Sequence, residues 1–65
     1  MLTALIQYAD GTETMALSSE IEWERTETGG VLTVGDTEYT VTQGDNVFVM
    51  NSAGQTVRRY NLRGR

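Results

Sequence analysis

Three glutamates at alternate positions, Glu20, Glu22 and Glu24, form the most suggestive polar constellation in the chain. On an extended strand they project from one face, with about 7 Å between successive members. Oxygen donors in such a row suit hard cations such as Ca²⁺ or Mg²⁺. A cation site surrounds its ion from several directions, however, and a straight row approaches from only one. The row is therefore expected to be a negative face, offered to solvent or to a protein partner with a basic surface. A second constellation is Arg58-Arg59-Tyr60-Asn61 followed by Arg63 and Arg65. It combines guanidinium groups for phosphate, an aromatic ring for stacking and an amide for a base edge. Arg58, Arg59, Tyr60 and Arg63 are thus the alternative functional surface, a nucleic-acid contact. Successive strand residues face opposite ways, so Arg58 and Arg59 do not make one patch by themselves.

Other chemistries are excluded by what the chain lacks. It has no cysteine and no histidine, hence no thiol nucleophile, no thiolate zinc site and none of the usual general bases. Serine and threonine are plentiful, but no histidine or lysine is present to activate one. Nine acids in 65 residues place some carboxylate pair at a glycosidase-like spacing by chance alone. A chain this short also has little room for a substrate cleft of about 300–1,000 Å³. Neither the P-loop nor the dinucleotide-binding glycine spacing occurs. No enzyme activity, catalytic residue, cofactor or metal is expected.

Charge is split along the chain. Residues 1–45 hold all nine acids and one base, a net −8, whereas residues 46–65 hold four arginines and no acid, a net +4. Cross-strand pairing between an acidic strand and the arginine-rich last strand is the simplest use of that asymmetry. Lysine is absent and all five bases are arginine, which speaks to genome composition rather than to function. The net acidity repels a phosphate backbone and ranks nucleic-acid binding below protein binding.

These residues must be positioned by a small fold. A 65-residue chain buries only about 60% of the surface it exposes when unfolded, and its 38% hydrophobic content allows a core of roughly a dozen side chains. Apolar residues alternate with polar ones in short β-branched runs, and glycines interrupt them. Residues 2–9 and 12–17 flank Asp10-Gly11, a pair that favours a two-residue type I′ hairpin. That register sets Ala9 opposite Thr12, Tyr8 opposite Glu13, Ile6 opposite Met15 and Ala4 opposite Leu17. Leu2, Ile6, Tyr8, Met15 and Leu17 then share an apolar face, with Leu5 stranded on the polar one. Ser19 with Glu22 fits a capping box, yet Ile21, Trp23 and Arg25 alternate with the three glutamates, so residues 20–26 read as strand. Glu27–Gly30 reads as a loop. Residues 31–34 and 37–42 form a second hairpin about Gly35-Asp36, with Leu32 opposite Tyr39 and Val34 opposite Thr37. Residues 47–51 and 55–62 form a third, about a type I turn with a G1 bulge at Gly54.

The resulting expectation is an all-β fold of hairpins over residues 1–62, a small antiparallel barrel or curled two-sheet domain. At most one short helical turn falls near 18–24, and residues 63–65 form a frayed tail. No apolar run approaches the roughly 20 residues of a membrane span, and no basic segment precedes an apolar one, so a soluble cytoplasmic protein is expected. Segment 47–51 carries the functional expectation. Val47 and Val49 lie on one face and Phe48 and Met50 on the other, and so small a domain rarely owns two cores. Phe48 and Met50, with Glu20, Glu22 and Glu24, are the expected protein interface of a non-enzymatic interaction module that occupies a protein partner or assembles with itself. Small cofactor-free chains of this type are common among phage and mobile-element accessory proteins, including inhibitors of host nucleic-acid-handling complexes.

Overall fold

Period-two alternation becomes seven strands in the computed structural model, which describes residues 1–62. They are β1 (Leu2–Gln7), β2 (Glu13–Ser18), β3 (Ile21–Thr26), β4 (Gly29–Val34), β5 (Thr37–Thr42), β6 (Asn46–Met50) and β7 (Thr56–Asn61). The strands form two antiparallel sheets, one ordered β2-β1-β6-β7 and the other β3-β4-β5. The fold is therefore the curled two-sheet alternative, and not a closed barrel. No helix occurs among the described residues, so none crosses a membrane. The expected tail, residues 63–65, lies outside the described residues.

The core is the space between the sheets. Ala4, Ile6, Val47 and Val49 from the larger sheet meet Ile21, Leu32, Val34 and Val41 from the smaller one, all buried. Leu2, Tyr8, Ala16, Trp23, Tyr39, Tyr60 and Leu62 close its margins. Each fully buried aliphatic side chain contributes about 1.5–3 kcal/mol over an exposed one. The β3 and β7 edges are joined by side chains instead of a backbone ladder. Trp23 stacks on Tyr60 with ring centroids 4.5 Å apart and planes 11° from parallel. Arg58 Nη1 donates to the Ile21 carbonyl at 3.2 Å.

The first hairpin departs from its expected register. Tyr8 N donates to the Thr12 carbonyl at 2.8 Å, Gly11 N donates to the Tyr8 carbonyl at 3.0 Å, and Gly11 alone in the loop has positive φ, 94°. This is a type I turn closed by a G1 bulge, which spares Asp10 the positive φ that a type I′ turn demands. The loop is one residue longer, so the pairing slips by one: Leu5 faces Met15 and Thr3 faces Leu17, while Ala4 faces Ala16. A one-residue slip turns a whole strand over, and Met15 and Leu17 point outward. The Asn51–Gln55 loop repeats the same hydrogen bonds with Gly54 at φ 85°, as expected from its sequence. A Cβ at Gly11 would meet nothing within 4 Å, so only backbone conformation is at stake there. Gly11→Val is expected to destabilise by about 1–2 kcal/mol. A urea midpoint that does not move would refute the positive-φ requirement.

One further difference is local. Glu27-Thr28 alone forms the β3–β4 turn, and Gly29 and Gly30 belong to β4, paired with Thr26 and Arg25. The Ser18-Ser19 corner is not a helix cap: Ser18 Oγ accepts the Glu20 amide at 3.1 Å, and Glu20 then gives its carbonyl to Gly35 N at 2.9 Å. The second hairpin keeps its expected register, with Leu32 opposite Tyr39 and Val34 opposite Thr37.

Candidate interaction surface

Strand register assembles the surface. Across the outer face of the larger sheet, Met15, Leu5, Phe48 and Arg59 lie in one row, each opposite the next. The neighbouring row is Leu17, Thr3, Met50 and Thr56. Toward the other end of the strands, the row is polar: Glu13, Gln7, Asn46 and Asn61. Met15 and Leu17 are 61% and 63% exposed, so this apolar end is open to solvent. Met1, Thr3, Met15, Leu17 and Met50 line a shallow depression there, which places all three methionines of the chain on one patch. Thioether side chains are flexible and polarizable, which suits a contact surface that must adapt to what covers it. Arg59 holds its guanidinium carbon 5.3 Å from the Phe48 ring centroid, a cation–π contact at the edge of the patch.

Phe48 and Met50 thus stand where the two-faced pattern of β6 places them, on the side opposite Val47 and Val49. Sequence reasoning did not include Leu5, Met15 and Leu17, because the expected register turned β2 inward. One signal was available: Leu5 was an apolar residue on an otherwise polar face, and its true neighbours are Met15 and Phe48.

The glutamate row lies on the other side of the molecule. Glu20, Glu22 and Glu24 are exposed, and Glu22 aligns through Thr33 with Glu38 across the smaller sheet. These acids do not meet the arginines. Arg58 is engaged by the Ile21 carbonyl and Arg59 by Phe48, and no arginine–carboxylate ion pair forms among the described residues. The expected neutralisation of the glutamates by the last strand is therefore replaced by two separate surfaces. Arg58 and Arg59 diverge as their spacing requires, and one face of Tyr60 is occupied by Trp23. Arg63 lies outside the described residues.

A second depression, of about 480 Å³, lies between Tyr8, Ala9, Asp10, Thr12, Thr40, Thr42 and Asp45. Its two carboxylates are already committed to the backbone. Asp10 Oδ1 accepts the Thr12 hydroxyl at 2.7 Å and the Thr12 amide at 2.9 Å. Those bonds, the hydroxyl first, hold the Asp10 carboxyl below its ordinary 3.8. Asp45 is buried and accepts Ala9 N at 2.8 Å and Thr42 N at 2.9 Å. Its carboxylate ties the first hairpin to the β5–β6 turn. Among the described residues no group of three or more His, Cys, Asp or Glu is placed to hold a metal ion.

The chain matches no family model, no curated protein and no solved structure with which it was compared. The functional reading accordingly rests on the geometry of the two outer faces.

Proposed function

We propose that the chain is a non-enzymatic protein-interaction module whose contact surface is the outer face of the larger sheet. The observation that carries this reading is the register of β1 with β2 and β6, which gathers Leu5, Met15, Leu17, Phe48 and Met50 on the side away from the core. Four strands about 4.8 Å apart and about 20 Å long make a face of roughly 400 Å², whose apolar end is the part formed by Leu5, Met15, Leu17, Phe48 and Met50. The two main depressions supply no carboxylate pair free for acid–base work: one is bounded by Asp10 and Asp45, both bound to backbone amides, and the other is methionine-lined and apolar.

Photo-crosslinking with a diazirine analogue of methionine tests the reading directly, because every methionine lies on the patch. A protein adduct mapped to position 15 or 50, and lost in Leu17→Arg, is the expected result. A folded chain that yields no protein adduct would overturn the proposal.

The acidic exterior and the divergent arginines also support a negative expectation for nucleic acid. At about 150 mM salt, where the Debye length is about 8 Å, no measurable binding to random single- or double-stranded DNA is expected. Fluorescence anisotropy with labelled oligonucleotides checks it. Submicromolar affinity that collapses in Arg58→Ala/Arg59→Ala would make β7 the working surface instead.

A further inference from the structure

We infer that the occupant of this face is a second copy of the chain, packed sheet against sheet about a two-fold axis that runs along the strands. The inference rests on the reading above that the outer face of the larger sheet is a protein contact, and it names the partner. A two-fold along the strands maps β2 onto the partner's β7 and β1 onto the partner's β6, while every cross-strand row keeps its height. Each row therefore meets itself. Leu5 packs on the partner copy's Phe48 position and Thr3 on its Met50 position, apolar end on apolar end, and the Glu13–Asn61 row lies polar on polar. A two-fold perpendicular to the strands and lying in the sheet would set the apolar end on the polar end instead. Aligned packing of twisted sheets is the ordinary way two such faces combine.

Charge selects the same arrangement. The chain carries a net −4, which opposes self-association, yet only Glu13 among its acidic residues lies in the rows of this face. The exposed glutamates Glu22, Glu24 and Glu38 belong to the other sheet and point away from such an interface, and exposed Glu20 directly precedes β3. Arg59, at the β7 edge, comes to lie over the partner copy's β2, one alternate position (about 7 Å) from its Glu13. The basic edge of each copy thus lies near the acidic edge of the other, and the two-fold repeats the arrangement, as an isologous contact requires.

Area sets the strength. Two faces of roughly 400 Å² in projection cover about 800 Å² before side-chain relief is counted, below the roughly 1,200–2,000 Å² of stable specific interfaces and in the range of weak or transient ones. A dimer dissociating in the micromolar range is expected, not an obligate one.

Sedimentation equilibrium across about 1–500 µM, with a circular-dichroism melt on each variant, tests the inference. Phe48→Glu and Leu17→Arg introduce opposite charges, and both are expected to weaken dimerisation at least tenfold. Leu17 is exposed and Glu at position 48 would sit beside Arg59, so both variants should keep the wild-type fold. Phe48 also separates this arrangement from an edge-to-edge dimer through β2, since β6 is two strands away from that edge. A monomeric wild type at 500 µM, or a dimer indifferent to Phe48→Glu, would overturn the inference. A monomer that still gives Leu17-dependent crosslinks to another protein would overturn only this inference; a monomer without protein adducts would remove the reading beneath it as well.

Discussion

Asp45→Ala is expected to lower stability by about 3 kcal/mol, a large share of what a domain of this size possesses. Among the described residues Asp45 is the one buried charged or polar residue, and its two oxygens take the amides of Ala9 in the first hairpin loop and of Thr42 at the end of β5. A hydrogen bond to a charged group contributes about 1.5–3 kcal/mol, and removing the acceptor leaves the part-buried amides of Ala9 and Thr42 to find water. Backbone bonds converge there too: Asp45 N donates to the Thr42 carbonyl at 3.1 Å, and the Asp45 carbonyl accepts Leu62 N at 3.1 Å. The side chain thus fixes a junction where the first hairpin, the β5–β6 turn and the end of β7 meet. Asp45→Asn keeps one acceptor oxygen and should cost about half as much. Urea unfolding of both variants checks this, and an alanine variant within 0.5 kcal/mol of wild type would show that the carboxylate is dispensable.

The second large effect is expected at Gly30. Its position on β4 lies directly beneath the Trp23 indole, and a Cβ built there would stand 2.2 Å from Cη2 and 2.4 Å from Cζ2. Trp23 also stacks on Tyr60, so the ring meets both the bare backbone of Gly30 and an aromatic face. Gly30→Ala must push the indole aside and disturb the contact that joins β3 to β7. Overpacking of this kind costs about 1–3 kcal/mol, and about 2 kcal/mol is expected. Trp23 is the only tryptophan, so the displacement is visible as a red shift of its emission. A double-mutant cycle isolates the cause: with Trp23→Leu in place, Gly30→Ala should become neutral or stabilise by up to about 1 kcal/mol. An equal cost in both backgrounds would place the effect in the backbone rather than the ring.

Much of the local structure was legible in the chain because it depends on neighbours in sequence. Gly35-Asp36 between two alternating runs gave the β4–β5 hairpin its register, and Gly54 gave the last hairpin its bulge. The β3 assignment held against the capping-box signal at Ser19 and Glu22, since period-two alternation of Ile21 and Trp23 with the glutamates continues through the segment. Gly29 and Gly30 resemble loop residues in sequence because a glycine pair usually marks a turn; here one serves as the floor beneath an indole, a role only a contact across the sheet reveals.

The candidate surface divides along the same line. By itself the sequence determined that β6 would be apolar on both sides, with Phe48 and Met50 on the face opposite Val47 and Val49. It also determined that the glutamates of β3 would form an exposed row. Tertiary structure decided which way β2 faces. A two-residue turn and a type I turn with a G1 bulge suit Asp10-Gly11 almost equally, and they differ by one residue of register. The choice falls to the pairing that sets Ala4 against Ala16 on the inner side and leaves the longer Met15 and Leu17 side chains outside, beside Leu5. Local backbone preference is nearly degenerate at that loop, whereas the space between two packed sheets is not. The non-local pairing of β1 with β6 then completes the apolar face, because it brings Leu5 beside Phe48 and Thr3 beside Met50 from more than forty residues away.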